Sequence, residues 1–175
     1  MSSIAMEYVA QVLRGWPSDG SIDRNELVKL SGGVPVALKN GDLVQSQSDG
    51  TVDLVGSTAT GYAGLVIRGP GDSKSAANSM GSLNDVGSTS TGTSGKAVVL
   101  WGNYIVQTSN YASGSWVPGA AVTAKNGQFA LAAPASITTA EGSNTLGDPV
   151  IGFVLNVIAG GAGQTTPANV VICVR

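Results

Sequence analysis

From Gly20 onward the chain sets short apolar runs between clusters of Gly, Ser, Thr and Asn. The runs at Leu43–Val44, Val52–Val55, Gly64–Ile67, Ala97–Trp101, Ala121–Ala124, Phe129–Leu131, Gly152–Leu155 and Val170–Val174 are strand-sized, about two to six residues each. Two of the breaks between them carry turn chemistry. Asn126-Gly127 separates Ala121–Lys125 from Gln128–Leu131, and Asp49-Gly50 separates Asp42–Gln45 from Thr51–Val55. Both dipeptides predict two-residue hairpin turns, in which both central residues take φ > 0. For the later hairpin the register follows: Lys125 opposite Gln128 sets Ala124 opposite Phe129 and Val122 opposite Leu131. These four share one face, as a half-buried hairpin requires.

The pattern also repeats. A hairpin, a Gly-led apolar strand, a loop and a second apolar strand occur in that order over about 41–101 and again over about 119–174. Gly64–Arg68 matches Gly152–Asn156, and Ala97–Trp101 matches Asn169–Cys173. Self-similarity of this kind is a clue to fold. It predicts a mainly β protein, a compact barrel or two-sheet sandwich closed by two pseudo-repeats within a single β domain over 21–175. Residues 1–20 precede that domain. Ile4, Tyr8, Val9 and Leu13 lie near helical spacing with Ser3 as a cap, so an extended arm and a short helix stand as equal expectations. Residues 69–95 form a polar low-complexity loop, too long for an ordinary connection. A second loop, 159–167, holds the corresponding place in the later half.

Composition sharpens the picture by what it removes. Lys and Arg number 9, Asp and Glu 11, and charged residues make up only 11% of the 175. A chain so weakly charged has no footprint for nucleic acid. Gly 25 fits turns and short strands better than long helices. No apolar run is long enough to cross a membrane as a helix, and no secretory signal is expected. Histidine is absent, so Ser-His-Asp, Cys-His and His-bearing zinc sites are not available. Cys173 is the one cysteine and lies in an apolar run, which reads as a small buried hydrophobe.

The remaining motifs fall short of chemistry. Gly69–Ser75 resembles a phosphate loop, but Ser73 stands where the pattern needs Gly before Lys74. Asp19, Asp23, Asn25 and Glu26 lack the spacing of a calcium loop. Asp49, Asp53, Asp72, Asp85 and Asp148 are isolated and suit turns. No catalytic, cofactor or metal residue is therefore assigned, and an enzyme is not expected. Trp16, Trp101 and Trp116 stand out in a chain with only 5% aromatic residues. Each reads as a core anchor or a subunit or partner contact.

Over about 25–175 the chain resembles the capsid cement, or decoration, proteins of tailed bacteriophages. The resemblance rests on the Gly/Ser/Thr/Ala-rich texture, Gly41–Val44, Tyr62–Val66 and the strand ending at Trp101. It rests further on Pro118–Val122 before a hairpin, the Gly152-led strand and the Val-rich strand reaching Arg175. It implies a β-rich homotrimer, made in the host cytoplasm, that sits on the outer surface of the virion and bridges major capsid subunits without catalysis or cofactor. On that reading Met6, Tyr8, Val9, Leu13 and Trp16 of the arm, with Trp101 and Trp116, are the contacts to capsid or neighbouring subunits. Two other readings stay open: a head-fibre or tail-fibre domain, and a small β-barrel hydrolase using loop carboxylates.

Overall fold

A computed structural model of the chain describes residues 10–14, 22–69, 95–137, 144–160 and 167–175. In chain order the strands are β1 Ala10–Arg14, β2 Ile22–Leu27, β3 Leu30–Ser31, β4 Val34–Pro35, β5 Leu43–Ser46, β6 Val52–Leu54, β7 Gly64–Arg68 and β8 Lys96–Trp101. They continue with β9 Tyr104–Thr108, β10 Ala121–Lys125, β11 Gln128–Leu131, β12 Ser136–Ile137, β13 Asn144–Thr145, β14 Gly152–Ile158 and β15 Asn169–Val174. One six-stranded sheet runs β1-β9-β15-β14-β10-β11 and one five-stranded sheet runs β2-β8-β7-β5-β6. Every ladder in both is antiparallel. The two sheets face each other as a sandwich. Neither closes on itself, so of the two expected architectures the sandwich is the one formed.

Period-two burial explains why. Along β9 the inward residues Tyr104, Val106 and Thr108 are buried, while Ile105 and Gln107 between them are partly exposed. Val106, Val122, Val154 and Ile172 of the six-stranded sheet meet Leu43, Leu65 and Leu100 of the five-stranded sheet in one core. Phe129, the largest fully buried side chain, lies in that core. Each fully buried side chain of this size contributes about 1.5–3 kcal/mol over its exposed state. The five-stranded sheet is buried on its other face as well. Val44, Val66 and Val99 pack there beneath Val28 and Leu38, which lie on the 28–38 strap that carries the β3–β4 ribbon.

Setting β1 aside, the order β9-β15-β14-β10-β11 repeats the order β2-β8-β7-β5-β6. The correspondence extends to single hydrogen bonds. Gly41 N donates to Val66 O at 2.9 Å and Gly119 N to Val154 O at 2.8 Å. Each glycine is the third residue of a turn closed at 3.1 Å, Asp42 N to Lys39 O and Ala120 N to Val117 O. Their φ values, 91° and 85°, are those of a type II turn, which glycine adopts without strain. β7 and β14 bulge at the same place, between Val66 and Arg68 and between Val154 and Asn156. The ladders set Leu100 opposite Leu65 and Cys173 opposite Phe153. Leu100 therefore corresponds to Cys173, one residue along from the pairing of Trp101 with Cys173 that the sequence alone suggests. A run of similar apolar residues does not fix register; the ladder does.

The hairpins divide the expectation. β10 and β11 pair in the expected register, with Asn126 at φ 52° and Gly127 at φ 70°. Asp49-Gly50 behaves differently. Gln47 N donates to Thr51 O, and Gly50 N to Gln47 O, so the connection holds three residues. Only Gly50 has positive φ there. This is the turn-plus-bulge loop rather than the two-residue turn. The Asp49 carboxylate explains the choice, since it accepts from both Thr51 N at 2.9 Å and Thr51 Oγ1 at 2.6 Å.

Candidate functional site

The described part of the N-terminal arm is a strand. β1 pairs antiparallel with β9, Ala10 opposite Thr108 and Val12 opposite Val106. Ala10 is buried and Val12 packs on the core, while Gln11 and Leu13 face outward. That alternation outweighs the helical spacing further upstream, so the short helix is corrected to a strand over these residues. A bulge between Val12 and Arg14 sets Leu13 and Arg14 together against Ile105 and leaves Leu13 49% exposed. Ala10 N donates to Asn40 Oδ1 at 2.8 Å, and Asn40 Nδ2 donates to Ile67 O at 3.1 Å. One asparagine thus clips the arm strand to β7 of the opposite sheet. Among the described residues β1 forms one edge of its sheet, with β9 as its sole ladder partner. Met6, Tyr8, Val9 and Trp16 lie outside the described residues, as do 70–94 of the polar loop and 161–166 of the second loop.

Of the two roles the sequence offers Trp101 and Trp116, the structure places both in the core. Trp101 is 5% exposed, its Nε1 donates to Glu26 Oε1 at 3.1 Å, and the Tyr62 ring stacks on it with centroids 5.1 Å apart. Trp116 is 6% exposed and its Nε1 donates to Ala112 O at 2.9 Å. Tyr111 meets it edge-on and donates its own hydroxyl to Pro167 O. Both indoles are enclosed by this chain and have their N–H groups satisfied within it, which leaves no apolar face to offer a partner.

The described carboxylates Asp42, Asp49, Asp53 and Asp148 are engaged within the chain, by backbone N–H groups, a hydroxyl or a lysine. Asp42 is buried, accepts from Lys39 N at 2.9 Å, and burial pushes its carboxyl up against the opposing effect of that N–H and of the Lys39 charge. The two donors of Thr51 hold Asp49 below the usual carboxylate range. Asp53 pairs with Lys29 at 2.9 Å and Asp148 accepts from Ala133 N at 3.0 Å. Among the described residues no three His, Cys, Asp or Glu side chains gather as a metal site.

One polar residue that sequence reasoning missed ties the two halves together. Asn110 Nδ2 donates to Gly41 O at 2.9 Å and to Gly127 O at 3.1 Å. Gly127 O also accepts from Leu43 N at 2.8 Å. A cleft lies over this junction, lined by Lys39, Asp42, Asn110 and Asn126. An asparagine between Ser109 and Tyr111 looks like any turn residue, so nothing local marked it.

Comparison with protein-family models, with curated proteins and with solved structures finds no match to this chain.

Proposed function

We propose that this chain is a capsid-decorating protein: it docks on the outer surface of an icosahedral phage head, bridges neighbouring major capsid subunits and braces the shell without catalysis. The observation that carries the reading is β1. An arm strand held at a sheet edge by one ladder and one asparagine clip, with Leu13 turned outward, suits strand-mediated attachment to a neighbouring subunit. The weak charge of the chain suits a contact made by apolar groups and backbone hydrogen bonds, which salt screens little. Each contact is modest, and repetition over the shell multiplies it.

The test compares the full chain with a variant lacking residues 1–9, which removes Met6, Tyr8 and Val9 and leaves the buried packing that begins at Ala10. Capsids of the source phage stripped of this chain are incubated with either form and sedimented. The expected result is binding by the full chain and a loss of at least about tenfold in the truncated form, at an unchanged melting temperature. Equal binding by the two forms would take the contact off residues 1–9, and unchanged binding by Leu13→Asp as well would overturn the arm as the contact. Absence of binding by the full chain would overturn the function.

A further inference from the structure

We infer that Asn126 is a site of spontaneous chemical modification: its side-chain amide is lost through a cyclic imide that water opens to a carboxylate, while the fold holds off the same reaction at Asn40. This does not rest on the capsid reading. The chain contains the tripeptide Lys-Asn-Gly twice, at Lys39–Gly41 and at Lys125–Gly127. Unfolded, the two are chemically alike. Folded, each Asn-Gly pair forms the centre of a turn, and the two turns differ in what they hold down. The reaction brings the glycine nitrogen onto Cγ of the asparagine before it, closing a five-membered ring through Cα and Cβ. Closure swings that nitrogen under Cβ, which at an L residue happens at ψ of about −120°, the value of the first central residue in a type II′ turn.

Asn126 and Gly127, at φ 52° and 70°, form a type I′ turn. Types I′ and II′ differ by rotation of the central peptide plane, with φ of the first residue unchanged. Here that plane carries the Asn126 carbonyl and the Gly127 N–H, and neither makes a hydrogen bond among the described residues. The anchors lie on either side of it. Asn126 N donates to Gly56 O at 2.7 Å, and Gly127 O accepts from Leu43 N and Asn110 Nδ2. The plane can therefore rotate with no hydrogen bond broken and both ends pinned. Only the strain of an L residue in a conformation that glycine prefers opposes it, which makes the flipped turn a minor state. The Asn126 side chain is exposed, so Cγ is open to attack.

At Asn40 the same plane is tied. Gly41 N donates to Val66 O at 2.9 Å, and the Asn40 amide is held at both ends, by Ala10 N and by Ile67 O. Rotating the plane of this type II turn gives a type I turn, whose first central residue has ψ of about −30°, still out of reach. Attack there needs all three hydrogen bonds broken, which slows it by about tenfold to a thousandfold. At Asn126 the step balances simply. Gly127 N loses its proton to base and bonds to Cγ, and Nδ2 takes up a proton and leaves as ammonia. One water then opens the ring. Addition at Cγ leaves an ordinary aspartyl residue, and addition at the backbone carbonyl leaves an isoaspartyl residue with an extra methylene in the chain. Either product places a carboxylate beside the cleft that Lys39 and Asp42 line. The second also lengthens the turn whose Gly127 O fastens the two halves.

The test holds the full chain at mildly alkaline pH, folded in buffer and unfolded in urea. Proteolytic peptides covering each Asn-Gly pair are followed by mass spectrometry, which separates amide from acid. In the folded chain Asn126 should convert at least about tenfold faster than Asn40, and in urea the ratio should fall to about one. Conversion at Asn126 should slow as the pH is lowered, because the attacking nitrogen must first lose its proton. A folded chain that converts Asn40 as fast as Asn126 would overturn the inference. So would one that keeps both amides while urea converts both, since the central plane would then not flip. A contrast that persists undiminished in urea would trace it to flanking sequence rather than to the turns, and would overturn it equally.

Discussion

Gly64 and Gly152 open the corresponding strands β7 and β14, and a methyl group at each meets a different obstacle. At Gly152 the new carbon would fall on the Cys173 carbonyl oxygen and lie 3.0 Å from Val174 Cα, both backbone atoms of the paired strand. At Gly64 it would run into Val99 Cγ1 and come within 2.9 Å of the Trp101 ring, both side chains. Relieving the first clash means pulling β14 from β15 at its start. That loses one or two ladder hydrogen bonds, about 0.5–1.5 kcal/mol each. Overpacking adds about 1–3 kcal/mol. Gly152→Ala should therefore destabilise by about 2–5 kcal/mol, or roughly 5–20 °C in melting temperature for a chain of this size. Gly64→Ala carries the overpacking cost alone, and Val99→Ala should recover part of it by removing the carbon that is struck. The assay is urea unfolding followed by tryptophan fluorescence, since Trp101 and Trp116 are buried. The diagnostic quantity is the coupling energy between the two sites. A coupling of about 1 kcal/mol is expected for Gly64 with Val99, and none for Gly152 with Val99. A loss below about 0.5 kcal/mol for Gly152→Ala would refute the reasoning, because that is the range of surface substitutions away from any special contact.

Asn110→Ala should cost about 1–3 kcal/mol by removing the donor to Gly41 O, while Gly127 O keeps Leu43 N, measured in the same unfolding assay. Tyr104→Phe should stabilise by up to about 1 kcal/mol, because the Tyr104 hydroxyl is buried without a hydrogen-bond partner. Burial also raises the Tyr104 phenol pKa above its ordinary value. The unfolded chain then loses that proton first, so the stability held below about pH 10 declines as pH rises past it, and Tyr104→Phe should flatten the decline. For Asp42, whose carboxyl is also raised by burial, the unfolded chain ionises first and stability falls as pH climbs through about 4. Asp42→Asn keeps an acceptor for Lys39 N, so its stability relative to wild type should grow between about pH 3 and pH 7 in thermal melts.

Sequence carried the fold where local chemistry and burial agreed. Asn126-Gly127 fixed a turn, the turn fixed a register, and the register put Val122, Ala124, Phe129 and Leu131 on one face. The Asp49-Gly50 turn went the other way because an aspartate beside a threonine has its own hydrogen bonds to make, which a dipeptide rule ignores. The likeness of the two halves was visible as texture, but its alignment at β8 and β15 needed the ladders. The candidate contacts were least legible. A tryptophan at a strand end has the same letters whether it faces a partner or, as Trp101 does, lies under Tyr62 and against Glu26. Nor could the sequence show that Phe153 and Leu65, alike in pattern, would end on opposite sides of burial. That difference arises only when one half stacks on the other.

The place of β1 bears on how the chain is made. Residues 22–101 supply all five strands of one sheet, and these leave the ribosome before any strand of the other except β1. Ala10 must wait for Thr108. During that interval the early sheet presents Leu43, Leu65 and Leu100 to solvent, a surface that invites a second nascent chain. Synthesis is thus most exposed to misassembly after β8 and before β14 and β15 have emerged, and β1 cannot join its sheet until β9 has emerged.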